Sequence, residues 1–96
     1  MRGITLEDAK LCVGKGWHKL IEEIYNKLTD EAYVVQVKEK YGGLRFYVDG
    51  VNRETLDFIE KQERKSVTIC EVCGAKGQLL DRNTWLVTRC KEHERA

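Results

Sequence analysis

The sequence predicts a small single-domain α+β protein that carries a metal-binding module at its C-terminal end. Three observations point there. Two stretches with helical apolar spacing bracket a pair of alternating runs joined by Gly42 and Gly43. Three of the four cysteines fall in the last 27 residues with a histidine beside them. At 96 residues the chain makes one domain, with a core that is marginal on its own. Apolar residues make up 42% and charged residues 34%, the composition of a soluble globular chain and not of a disordered one. The formal charge of +1 excludes a uniformly basic nucleic-acid binder, though not a local basic patch. No apolar run approaches the ~20 residues of a membrane span. The opening residues read as neither secretory leader nor transit segment, so the expected compartment is the cytoplasm. Without proline, turns must rest on Gly, Asn and Asp.

Thr5 caps a first helix, with Asp8 three residues on as a weaker form of the capping box. Glu7 and Asp8 suit its N-terminal dipole, and Gly14 and Gly16 break or bend it. Residues 17–28 form the next helix. Trp17, Leu20, Ile21, Ile24 and Leu28 recur at i+3 and i+4, while His18, Lys19, Glu22, Glu23 and Lys27 face away. Glu23 and Lys27 stand at i,i+4 in the favourable order. Over residues 33–50 the period becomes two, which predicts a hairpin with Gly42 and Gly43 as its loop. In that register Tyr41 faces Leu44, Glu39 faces Phe46 and Val37 faces Val48 on one side. On the other, Lys40 faces Arg45, Lys38 faces Tyr47 and Gln36 faces Asp49. Asn52 caps a second amphipathic helix over 54–65, with Leu56, Phe58 and Ile59 inward and a densely charged outer face. Residues 66–69 are β-prone. Residues 1–66 thus form a helix–hairpin–helix part and residues 67–96 a metal-binding module, with no flexible linker between them, so 1–96 reads as a single domain.

The module is read from its spacing: Cys70-x2-Cys73, sixteen residues, then Cys90-x2-His93. That spacing belongs to patterns that hold zinc tetrahedrally. Two cysteines three apart in a tight turn place both sulfurs on one ion, and Gly74 follows where the turn needs an unhindered backbone. Cys90 and His93 suit the first turn of a short helix, where i and i+3 share a face. Residues 78–80 and 85–88 read as two short strands joined by Asp81, Arg82 and Asn83, an arrangement of treble-clef or zinc-ribbon style. The competing reading is a disulfide between Cys70 and Cys73. Four protein ligands close the coordination sphere, so a structural ion is expected over a catalytic one. The His-x-Glu of a zinc deaminase is absent. Glu71 and Glu92 are expected to face solvent. Three thiolates and one Zn2+ bring the charge of the holo protein to about neutral.

Outside the module the most specific segment is residues 35–47, VQVKEKYGGLRFY. Lys38, Lys40 and Arg45 with Tyr47 form a basic group beside an aromatic, fit for a phosphate or an acidic partner. The competing reading is a solvated sheet face whose lysines discourage edge pairing. Glu39 falls on the apolar face and needs a cation, Arg89 being one candidate. The Gly14-Lys15-Gly16 run lacks the spacing of a phosphate loop. His18 reads as a surface histidine, Trp17 as core, Cys12 as a small buried residue, and Trp85 as packing on the metal-binding hairpin. No nucleophile pair assembles without His93, which the metal claims.

These segments resemble a set of small proteins of bacteria and their phages. The shared features are residues 13–17 (VGKGW), the hairpin at 35–47, the ICEVCG turn at 69–74 and the Cys90-x2-His93 tail. The resemblance spans nearly the whole chain and implies a bacterial or phage cytoplasmic setting and a zinc-bearing α+β domain. The C-terminal half also looks like a treble clef. HNH nucleases use that scaffold, but their catalytic histidine pattern has no match here.

The expected function is a non-enzymatic, zinc-stabilised interaction protein that binds a macromolecular partner. In a phage its sharper form is an inhibitor or adaptor acting on a host or defence protein. The alternative is a nucleic-acid-binding zinc module that uses Lys38, Lys40, Arg45 and Tyr47, helped by Lys76, Arg82 and Arg89. An enzyme would need a site around Glu39 or His18.

Overall fold

The computed structural model describes residues 1–95 and has an α+β architecture. Strands β1 (Arg2–Gly3), β2 (Tyr33–Lys40) and β3 (Gly43–Asp49) form a sheet in that order, β1 parallel to β2 and β2 antiparallel to β3. Helices α1 (Leu6–Leu11), α2 (His18–Tyr25) and α3 (Arg53–Ser66) complete the main layer, with a 3-10 turn at Lys15–Trp17 leading into α2. Strands β4 (Gln78–Arg82) and β5 (Trp85–Arg89) form a separate antiparallel ribbon. No helix among the described residues is long and apolar enough to cross a membrane.

The core lies between the helices and one face of the sheet. Ala9 of α1, Leu20, Ile21 and Ile24 of α2 and Ile59 of α3 meet Val34, Val37, Leu44 and Phe46, with Trp17 fully buried among them. Thr5 caps α1 by accepting from Asp8 N, and Asn52 caps α3 by accepting from Thr55 N. Tyr25 ties two layers together. Its hydroxyl donates to Ile4 O at 2.6 Å and its ring meets Phe46 edge-on at 5.6 Å. Burial, reinforced by Cys12, Asp8 and Glu7, pushes that hydroxyl up to about 12.

Two helical expectations change. Helix α2 ends at Tyr25 rather than running on to Leu28. Glu23 and Lys27 do not pair with each other. Glu23 accepts from the buried Gln62 at 2.8 Å, and Lys27 lies over the Phe58 ring. Gln62 also donates to Leu20 O, so it joins α2 to α3 inside the core. Ser66 belongs to α3, and the β-prone stretch contributes only an isolated bridge between Ile69 and Lys76.

The hairpin register also differs. Tyr41 and Gly42 form the loop, both at positive φ (55° and 80°), the backbone that twists with the strands. Val37 therefore faces Phe46, Lys38 faces Arg45, Glu39 faces Leu44 and Gln36 faces Tyr47. The expected pairs of Lys40 with Arg45 and of Lys38 with Tyr47 are not formed. Between Gln36 and Tyr47 the pairing moves by two residues, so the paired side chains there keep their predicted face. Tyr41 leaves the apolar face for the exposed loop, and past the irregularity at residues 34–36 Val34, not Val35, is buried. The two glycines have separate tasks. Gly42 takes the left-handed turn position, whereas Gly43 lies in β3, where a Cβ would press on Val67 of the chain leaving α3. Glu39 serves the turn: its carboxylate accepts from Gly42 N at 2.7 Å.

Strand β3 is an outer strand of the sheet, but its exposed donors are met by α3. Leu44 N donates to Ser66 Oγ at 2.9 Å and Phe46 N donates to Glu63 Oε2 at 2.8 Å. Side chains of a helix thus stand where a fourth strand would pair. Burial raises the Glu63 carboxyl above its ordinary 4.5, against the Phe46 N–H and Arg45, which favour the carboxylate. The folded chain holds this proton more tightly than the unfolded one, so stability falls as pH climbs through and past 4.5. Glu63→Gln keeps an acceptor and removes the charge. Its thermal midpoint should match that of the wild type near about pH 4 and exceed it near neutrality. Glu63→Ala strands the donor and should cost about 1–3 kcal/mol in denaturant titrations. Identical pH profiles for the wild type and Glu63→Gln would count against this assignment.

Candidate metal centre

The two halves of the centre come from different local structures. Cys70 and Cys73 sit in a tight turn. Gly74 N donates to Cys70 O at 2.9 Å, Cys70 N donates to Ala75 O at 2.7 Å, and Gly74 takes φ 86°. Cys90 follows β5 directly, and His93 N donates to Cys90 O at 3.1 Å. The expected short helix is a single turn, enough to bring the two side chains to one side. The Sγ atoms of Cys70, Cys73 and Cys90 and one ring nitrogen of His93 all lie within 4.8 Å of one another.

These positions fit one tetrahedral ion. Metal–sulfur bonds of about 2.3 Å imply sulfur–sulfur edges of about 3.8 Å. Cys73 Sγ and Cys90 Sγ are 3.7 Å apart, Cys70 Sγ is 3.7 Å from His93 Nδ1, and Cys90 Sγ is 3.2 Å from the same nitrogen. None of the cysteines is in a disulfide, and 3.7 Å is far beyond a bonded sulfur pair of about 2.05 Å. Burial works against the Cys70 thiolate, but the backbone N–H groups of Cys90, Cys73 and Val72 outweigh it and bring the thiol down to about 6. The Ala75 N–H favours the Cys73 thiolate, yet desolvation and the neighbouring sulfurs push that thiol up. One sulfur, that of Cys70, is thus ready to ionise, while Cys73 beside it resists a second negative charge until a cation joins them.

A layer of polar contacts orients the ligands. Glu71 does not face solvent as expected. It forms a half-buried ion pair with Arg89 at 3.2 Å and accepts from Thr88 N, while Arg89 Nη1 donates to His93 O at 3.3 Å. One carboxylate between the first two ligands is thereby joined, through one guanidinium, to the turn that carries the last. Glu92 is exposed, as expected. Such outer contacts fix ligand geometry and metal affinity.

The centre is also seated on the core. Gly16 N donates to Glu71 O at 2.9 Å, and the Trp17 indole N–H donates to Ile69 O at 2.9 Å. A Cβ at Gly14 would collide with Glu71 O, and one at Gly16 with Cys70 O. This explains the Gly-Lys-Gly run: its glycines let one backbone lie directly against another. The ribbon is joined to the hairpin tip, where Thr88 Oγ1 donates to Gly42 O at 2.6 Å in a buried contact.

The other sequence candidates are placed as follows. Lys38, Arg45 and Tyr47 share the sheet face opposite the core, with Lys38 Nζ 5.8 Å from the Tyr47 ring. Lys40 lies instead over Tyr41 at the hairpin tip. Cys12 is exposed rather than buried, its thiol against Asp8 O. Trp85 is 68% exposed rather than packed on the ribbon, because it follows the two-residue turn of Asn83 and Thr84 at the ribbon's end. His18 is half-buried, its ring 2.8 Å from Lys10 O. The seat formed by Gly14 and Gly16 was missed from sequence; two glycines one residue apart before a buried Trp were the available signal.

Comparison with protein-family models finds no match, and neither do comparisons with curated proteins or with solved structures. Two outcomes test the geometry. Gly16→Ala should cost about 3 kcal/mol of stability, the upper range for overpacking, because the obstacle is backbone that cannot turn aside. Glu71→Gln should weaken metal affinity about 10–100-fold in chelator competition. Unchanged affinity would restrict the pair with Arg89 to holding the fold.

Proposed function

We propose that the ion is zinc and that the chain is a zinc-stapled, non-catalytic binding module that works in a reducing cytoplasm. Three thiolates and an imidazole form a closed donor set suited to structural zinc. In a chain this small, binding is coupled to folding. Unpaired cysteines as ligands suit a compartment that keeps thiols reduced.

The observation that carries the binding reading is the uncovered sheet face. Helices cover the opposite face, while Tyr33, Val35 and Tyr47 stand 50%, 49% and 42% exposed on this side. A bulge between Val34 and Gln36 turns Val35 outward beside them. Tyrosines with an arginine at their margin are typical of protein interfaces. The partner proposed is a protein. In the bacterial or phage setting implied by the resemblance, the module acts as an inhibitor or adaptor of a host protein. A second reading has one specific support. Lys38 and Arg45 face each other on the same surface with Tyr47 beside them, an arrangement suited to a phosphate and a stacked base.

Zinc is tested by metal analysis. The wild type should carry one zinc per chain, and Cys73→Ser should lose it with a thermal midpoint lower by roughly 10 °C or more. Normal stability without metal would overturn the staple. The binding face is tested by capture from host lysate with and without nuclease, comparing the wild type with Val35→Glu and Tyr47→Ala. A discrete protein that survives nuclease and is lost with both variants supports the protein reading. Capture that nuclease abolishes moves the assignment to nucleic acid.

A further inference from the structure

We propose that the two grooves meeting at Cys73 form a contact surface for a nucleic-acid backbone, a site separate from the sheet face and not dependent on that reading. One groove, of about 380 Å³, is lined by Lys15, Lys19 and Lys65 beside Cys73 and Gly74. The other, also about 380 Å³, is lined by Lys76 and Lys91 beside Cys73 and Cys90. All five lysines are exposed.

Four of the other five lysines are engaged, and the fifth, Lys61, lines neither groove. Lys10 pairs with Glu22, and Lys27, Lys38 and Lys40 lie over aromatic rings. Among the described residues the five groove lysines have no ion pair or ring contact. Two carboxylates, Glu23 and Glu92, line the grooves with them, and Glu23 is engaged by Gln62. Three thiolates around one dication add a single negative charge, and Arg89 is balanced by Glu71. The surface therefore keeps a positive excess although the whole chain is near neutral. The exposed carboxylates Glu7, Asp8, Asp30 and Glu31 line neither groove.

The form of the surface selects the ligand. Two open grooves divided by a narrow turn suit an extended strand crossing the turn better than a small anion. Lysines act as point charges, which position a phosphate chain without reading its sequence. The seat at Gly14 and Gly16 gives Lys15 its place. Both flanking glycines lie against the metal turn, which leaves the lysine at the groove's rim.

The test uses the full zinc-loaded chain and a labelled single strand of about twenty nucleotides, with RNA and duplex DNA of the same sequence as parallel arms. Five phosphate contacts on a single strand predict a loss of about 100-fold in affinity between about 50 and 200 mM salt. A triple variant carrying Lys15→Gln, Lys65→Gln and Lys76→Gln should bind more weakly, with the salt effect reduced to under about 10-fold. Lys61→Gln, outside both grooves, should leave binding unchanged. The proposal fails if none of the three nucleic acids binds at low salt. It also fails if the triple variant binds like the wild type, or if polyglutamate competes as well as unlabelled strand. Loss of binding in Tyr47→Ala but not in the triple variant would transfer the contact to the sheet face. Loss of the captured protein in Val35→Glu with nucleic-acid binding intact would separate the two surfaces.

Discussion

Direct contact between two stretches of main chain governs the C-terminal third of the molecule. Residues 14–16 lie against Cys70 and Glu71 so closely that no side chain fits between them. One hydrogen bond, Gly16 N to Glu71 O, fixes the register of that contact, and the indole of Trp17 adds a second, to Ile69 O. Trp17 is itself fully buried. The first pair of metal ligands is thus anchored to the hydrophobic core through one tryptophan, whereas the second pair is reached through the ribbon. An ion held by these four side chains would close a loop that the core has already fixed at one end. Such closure is most effective when one half of the site is already ordered, because less chain entropy remains to be lost. The fully buried Cys70, whose thiol is drawn down by nearby backbone N–H groups, belongs to the anchored half.

The same economy of small contacts closes the sheet. A strand pair and a two-residue third strand make a weak sheet by themselves. Helix α3 compensates by offering two acceptors, Glu63 and Ser66, to the outward donors of β3. It also sends Gln62 across to α2. These three residues occupy the inner side of a helix whose sequence is dense in charge. They turn a poorly apolar helix into a structural one by hydrogen bonding in place of bulk burial, with Ile59 as its buried apolar side chain.

These two mechanisms explain what was legible in the sequence and what was not. The metal ligands were legible because their chemistry is local: two short spacings suffice, and the structure brings the four atoms together. The amphipathic pattern of α2 and the cap at Asn52 were legible for the same reason. The hairpin was legible as a hairpin, but its loop is Tyr41 and Gly42 rather than the two glycines, and the partners that hold this register, Ser66 for Leu44 N and Thr88 for Gly42 O, are distant in sequence. Glu71 looked like a solvated charge and Arg89 like a candidate cation for Glu39, because the pairing of these two with each other depends on the tertiary position of β5. Strand β1 has two residues and therefore no periodicity to detect. Gln62 sits in a polar stretch of helix, and its buried role exists only once Glu23 and Leu20 O are opposite it.

The division of the surface follows from the fold's own needs. The helices take one sheet face, α3 takes the outer edge of β3, and the hairpin tip is taken by the ribbon through Thr88. What remains is the second sheet face and the two grooves around Cys73. The tyrosines exposed there are not part of the core, and the groove lysines form no ion pair among the described residues. Side chains left over in this way are the ones through which a partner would be recognised. In a domain this small they lie on rigid elements: a paired strand on one side and, on the other, a hydrogen-bonded turn that carries two of the four candidate metal ligands.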